Sequence, residues 1–204
     1  MTESFRFFVF TACLLLLAGC STPEFTVTEA DTRFNSNTNQ LLLSDGNRIS
    51  SKSIAGGGHI DQKGVFVNPF VEKDRNTGRS LRLGITVTNK TSSDTSSYNI
   101  NRLGTIQEIA FITDADRPII IKLREAQTSS TGIPTYNVIG RYASIDLNES
   151  ATGEIDRATL DRIASAATLS CKITGTIQSV TYEAKDISPS FQVNLRAFLD
   201  MHGK

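Results

Sequence analysis

The imidazoles, thiols and paired carboxylates of this chain are few, and their spacing restricts the chemistry open to them. There are two histidines, His59 and His202. His59 follows Gly56-Gly57-Gly58, a run whose amides could form an anion nest; an exposed histidine on a glycine loop is the simpler reading. His202 is the third residue from the end of the sequence, where fraying is expected. Asp114 and Asp116 stand two apart and could share a hard cation, but the glycine and distal glutamate of a calcium loop do not follow. Turn chemistry accounts for them better. Glu154 and Asp156 fit the negative bias of a helix start. Gly-x-Ser-x-Gly, His-Glu-x-x-His and a local cysteine–histidine signature are all missing from the sequence. No catalytic residue, metal ligand or cofactor is therefore assigned, and a site made of carboxylates brought together by folding stays open.

The three cysteines sit in different surroundings. Cys13 is a small apolar residue within the run Phe7 to Leu17, which is broken only by Thr11 and preceded by Arg6 and Glu3. A charged start followed by an apolar stretch is the layout of a secretory signal. The run is shorter than the roughly 20 apolar residues a spanning helix needs. Small residues and then a polar stretch follow it, so a cleaved signal over residues 1–19 is expected. Cys171 lies in Leu169-Ser170-Cys171-Lys172-Ile173, where strand alternation puts it beside Leu169 and Ile173 on a core face. It is expected to be a buried, unpaired thiol.

Leu17, Ala18, Gly19 and Cys20 resemble the lipobox of bacterial prolipoproteins, in which the cysteine receives a thioether-linked diacylglycerol before the signal is removed. The resemblance implies that Cys20 becomes the lipid-bearing N-terminus. One acyl chain gives only marginal membrane binding, so the two or three chains of such proteins hold them durably. The family's sorting rule keeps chains with Asp after the cysteine at the inner membrane. Ser21 in that place implies the outer membrane. The domain is expected to face the periplasm, though nothing in the residues fixes the leaflet.

Loss of the first 19 residues leaves 185 of the 204, enough for one domain. Lysines and arginines number 21 against 21 acidic residues, and this neutral balance, with no basic cluster, gives no case for nucleic-acid binding. Residues 20–40 are polar and are read as a lipidated N-terminus and tether, with a first strand at Phe25-Thr26-Val27. Residues 41–204 are read as a single strand-rich globular domain.

Within that domain, Leu41-Leu42-Leu43 and Arg48-Ile49 flank the turn signal Ser44-Asp45-Gly46-Asn47, which predicts a hairpin. Gly64 to Val67 predicts a strand ending at Asn68-Pro69. In Leu81 to Thr88, alternation places Leu81, Leu83, Ile85 and Val87 on one face. Asn89 to Ser97 is expected to be a solvated loop that could recognise a partner. A second hairpin is expected from Ile106–Thr113 and Ile119–Leu123, then a strand from Tyr136 to Ile145 bulged at Gly140. Asp156 should cap a helix over Arg157 to Ala167, with Leu160, Ile163, Ala164 and Ala167 at helical spacing. A strand pair at Ser170–Ile177 and Ser179–Ala184 precedes a last helix opened by Ser188-Pro189, with Phe191, Leu195, Phe198 and Leu199 as its core stripe.

These elements predict a mainly β, α+β fold, an antiparallel sandwich or curved sheet with two late helices. The succession "LRLGITVTN", "IQEIAFITD", "ATLDRIASAATLSCKITG" and "FQVNLRAFL" is similar to a class of small uncharacterised bacterial envelope lipoproteins, a resemblance that implies a fold and no chemistry. The expected function is a non-enzymatic, membrane-anchored envelope lipoprotein that binds or positions an envelope protein, glycan or lipid. The alternatives are an envelope hydrolase using carboxylates and an inhibitor or immunity lipoprotein acting through Asn89 to Ser97.

Overall fold

The computed structural model describes residues 23–30, 38–54, 62–94, 101–114, 116–139 and 142–202. The lipobox residues Leu17, Ala18, Gly19 and Cys20, and the Gly56-Gly57-Gly58-His59 segment, lie outside them.

The strands are β1 (Thr26–Glu29), β2 (Asn39–Asp45), β3 (Arg48–Ser50), β4 (Gly64–Asp74), β5 (Ser80–Asp94), β6 (Ile106–Thr113), β7 (Ile119–Lys122), β8 (Arg124–Asn137), β9 (Tyr142–Glu154), β10 (Leu169–Gly175) and β11 (Ser179–Tyr182). The helices are α1 (Arg157–Ser165) and α2 (Pro189–His202), with a 3-10 turn at Ala184–Asp186 between β11 and α2. The larger sheet is ordered β1-β2-β4-β5-β9-β8, with β3 also on β4, and the smaller is β11-β10-β6-β7. Every pairing is antiparallel. The expected fold class is the one observed, an α+β sandwich with both helices late in the chain.

The core lies between the sheets and under the helices. Val65, Val67, Ile85, Val87 and Ala151 of the larger sheet join Ile109, Phe111, Ile121, Cys171, Ile173 and Tyr182 of the smaller. Leu160 and Ile163 of α1 and Phe191, Leu195 and Leu199 of α2 close it. The alternation in β5 holds with one exception: Ile85 and Val87 are fully buried, whereas Leu81, at the sheet's end, is 51% exposed. On the opposite face Gly84 leaves room for the Phe70 ring, since a Cβ there would fall 2.3 Å from Phe70 Cζ.

Asp156 caps α1 as expected, its Oδ1 accepting from the Thr159 amide at 2.8 Å. The helix stops at Ser165, so Ala167 is outside it and exposed, and Ala166 is buried in its place. Gln192 of α2 explains the stop: its Nε2 donates to the carbonyls of Ile163 and Ala166 at 3.1 and 2.8 Å, satisfying groups that a helix end leaves open.

Four expectations are corrected. β2 and β3 do not pair with each other; both lie on β4. Arg48 N donates to Gly46 O, Gly46 has φ +82°, and the buried Asn47 bonds to Asn68 and Val67, so the segment kinks without reversing. Pro69 does not end β4, which runs to Asp74. It sits where β2 pairing has stopped at Leu43–Phe70 and β3 pairing resumes at Arg48–Phe66, so its missing donor interrupts nothing there. Asn89 to Asp94 is not loop but the second half of β5, paired along β9, with Asn89 and Thr91 buried. Finally, Tyr136 to Ile145 is not one strand. Val138 and Ile139 form a turn between β8 and β9.

Candidate functional site

The run Ile119–Asn137 changes sheets partway. Its first part, β7, pairs with β6 in the smaller sheet, and its second, β8, pairs with β9 in the larger. The switch falls at Leu123 to Gln127, where the β8–β9 register shifts and Glu125 takes the left-handed φ of +52°. Bulged, strained corners of this kind let one strand serve two sheets.

The splay between the sheets at this corner opens a groove of about 680 Å³, within the range of small-ligand sites. One wall is β7, Ile119 to Lys122. The other is Arg82 of β5, Thr152 to Glu154 of β9 and Arg124 and Glu125 of β8, and the start of α1 closes the end with Asp156 and Thr159. Gly153 lets β7 come close, because a Cβ there would lie 3.1 Å from Lys122 O and 2.8 Å from the Ile121 and Leu123 methyl groups.

Six charged side chains line this groove, and most are committed within the protein. Arg82 Nε lies 2.9 Å from Glu154 Oε1, and Lys122 pairs with Glu108 on the adjacent strand. Glu125 Oε2 accepts from the Thr152 hydroxyl at 3.1 Å. Asp156 accepts from both the hydroxyl and the amide of Thr159; the hydroxyl above all, with the amide, holds its carboxyl below the ordinary range. Arg124 has no hydrogen-bond or ion-pair partner among the described residues.

A second polar centre is structural. Glu149 of β9 is fully buried. Its Oε2 accepts from Asn89 Nδ2 at 2.9 Å and Leu103 N at 2.8 Å. Its Oε1 accepts from Arg102 Nε at 3.1 Å and Gly104 N at 3.0 Å. This one carboxylate ties the chain entering β6 to the larger sheet, and the saturation of both oxygens leaves it no lone pair directed at a ligand.

Of the residues singled out by sequence, Glu154 and Asp156 are brought to the groove, as an ion-pair partner and a helix cap. Asp114 and Asp116 separate in role: Asp114 accepts from Thr168 N at 2.7 Å, and Asp116 accepts from Arg117 N at 2.8 Å. They bind the β6–β7 turn, and no metal-ligating cluster forms among the described residues. His202 ends α2 against Phe198, its imidazole pKa lowered by burial and by Lys73. Cys171 is buried beside Leu169 and Ile173 as expected, burial pushing its thiol pKa up. Across the ladder from it, the Tyr182 hydroxyl is buried with no hydrogen-bond partner among the described residues.

Sequence reasoning missed Arg82, Arg124 and Glu125. The available signal was the change at Leu123–Arg124 from an apolar run interrupted only by Lys122 to a polar, Thr- and Ser-rich strand, which marks a strand leaving one environment for another. No family model matches the chain, and neither a curated protein nor a solved structure gives a significant match.

Proposed function

We propose that the chain is a lipoprotein of the bacterial outer membrane, held through Cys20, whose periplasm-facing domain binds or positions another envelope component in the groove at the sheet corner. The groove carries the reading. It is large enough for a ligand, and its carboxylates are engaged as an ion-pair partner, a hydroxyl acceptor and a helix cap. That arrangement suits a preformed binding surface better than a pair of free carboxylates poised for hydrolysis.

The anchor reading rests on Leu17-Ala18-Gly19-Cys20 following an apolar run. Among the described residues no helix is long and apolar enough to cross a membrane. Because β1 begins at Thr26, six residue steps separate Cys20 from the larger sheet. They span at most about 20 Å, so a lipidated Cys20 would keep the domain close to the headgroups.

The test is intact-mass measurement of the protein extracted from membranes, as wild type and Cys20→Ser, with affinity capture of what is extracted with it. The expected result is a diacylated or triacylated Cys20 in the wild type only, with a stoichiometric partner that Arg124→Gln releases. A cleaved, unlipidated and freely soluble wild type would refute the anchor. Cell-wall hydrolysis abolished by Glu125→Gln would move the assignment to a hydrolase.

A further inference from the structure

The groove wall formed by β7 is an open strand edge, and its hydrogen-bonding phase can be read from the register. Glu108 faces Lys122, so Gln107 faces Leu123, and Leu123 N donates to Gln107 O at 2.9 Å. In an antiparallel ladder bonded and non-bonded pairs alternate. Ile121 with Ile109, and Ile119 with Phe111, are therefore the bonded pairs. The N–H and C=O of Ile120 and Lys122 point away from β6, and Lys122 O lies toward Gly153 of β9. Among the described residues β7 has no second strand partner. Its outer edge at Ile120 thus presents a donor and an acceptor to the same space that Arg82, Arg124, Glu125 and Thr152 line.

We propose, building on the binding reading above, that the groove takes an extended peptide segment of a partner protein, added as a strand to the outer edge of β7, with one carboxylate on Arg124. Main-chain pairing at an open edge supplies sequence-tolerant affinity, and side-chain pockets supply selection. Ile120, 58% exposed, is apolar surface that such a strand would cover. Arg124 is the groove's cation without an ion-pair partner among the described residues, and its planar guanidinium suits a carboxylate. Glu125 beside it repels a second negative charge, so the site selects a peptide with a single carboxylate over a polyacidic one.

The test uses the full-length gene product extracted in neutral detergent and a fluorescent probe peptide, acetyl-Thr-Val-Glu-Val-Thr-amide. Controls carry Lys in place of Glu, Glu in place of both Thr, or N-methylation of alternate amides. Binding of the single-Glu peptide is expected, with loss of binding by the Lys, polyacidic and N-methylated forms. Ile120→Pro removes a donor that β6 does not use, so the strand should persist while peptide binding falls by more than tenfold. Arg124→Gln removes a charged hydrogen bond and should weaken binding by about tenfold. Circular dichroism and thermal melting confirm that each variant is folded, and Ile120→Val, which keeps the amide, should bind as wild type does.

Failure of the wild type to bind the single-Glu peptide, or undiminished binding by folded Ile120→Pro, overturns the proposal. If the peptide fails while envelope capture persists and is lost in Arg124→Gln, the ligand is of another class and the binding function stands. If capture fails too, both readings fall.

Discussion

Replacing Glu149 tests whether one buried carboxylate holds the two sheets in register. In Glu149→Gln one oxygen becomes an amide nitrogen. If it replaces Oε1 it confronts Arg102 Nε and Gly104 N, and if it replaces Oε2 it confronts Asn89 Nδ2 and Leu103 N. Either way two donors lose their acceptor and the charge opposite Arg102 disappears. A buried donor left unsatisfied costs about 1–3 kcal/mol, so the loss of two acceptors should destabilise by about 2–6 kcal/mol. Glu149→Ala strips all four donors and breaks a buried ion pair, which costs about 3–5 kcal/mol. For a domain of this size each kcal/mol lowers Tm by about 2–4 °C. Arg102→Ala leaves the Asn89, Leu103 and Gly104 bonds intact but strands the fully buried carboxylate without its countercharge, and should cost about 3–5 kcal/mol as well. Urea denaturation with linear extrapolation measures all three. A Glu149→Gln variant within about 0.5 kcal/mol of wild type, the ordinary range for surface changes, would refute the reasoning.

Three further outcomes follow from buried or capping groups. Tyr182→Phe removes a hydroxyl that has no partner in the core and should raise stability by about 1 kcal/mol, measured by the same denaturation; a loss of that size would mean the hydroxyl is satisfied. Asp156→Ala removes the α1 cap and should cost about 0.5–2 kcal/mol. Its carboxyl pKa is lowered in the folded state, so the stabilisation is complete above the ordinary aspartate pKa and is lost as pH falls through the lowered value. Asp156→Asn should therefore flatten that acid limb, and an unchanged pH profile would count against the cap. In a Cys13→Ser, Cys20→Ser background, where Cys171 is the one thiol left, it should react with an aromatic disulfide reagent only as fast as the protein opens, because it is buried with a raised pKa; rapid reaction of the native state would contradict its burial.

Sequence periodicity located the elements whose environment is local. The stripe Phe191, Leu195, Phe198 and Leu199 and the alternation around Cys171 each repeat within a few residues, and both are buried as read. What was misread depends on partners far along the chain. Asn89 to Asp94 is polar enough to pass for a loop, yet it lies on β9, some sixty positions away at Asn89–Glu149, and Asn89 is buried because it bonds to Glu149. Gly46-Asn47 carries a hairpin signal, but Asn47 is spent on Asn68, Val67 and Asn194, so the turn becomes a kink. β8 was legible only at its end, Tyr136-Asn137, since its polar middle and Pro134 carry no strand signal. It is an edge strand whose register breaks between Thr131 and Thr135, where a proline is tolerated. The groove was illegible for the same reason: Arg82, Arg124 and Glu154 meet through pairings that no short window contains.

The strand that serves both sheets also constrains how the chain can change over time. Side chains along a strand alternate faces with a period of two, and Ile121 and Thr128 are locked to their partners in different sheets. Insertion or loss of one residue between them would turn every side chain of one half to the wrong face, or force the corner to absorb the difference. The corner should therefore accept substitutions more readily than changes in length. Viable length variants should come as compensated pairs that restore the phase on each side of Glu125.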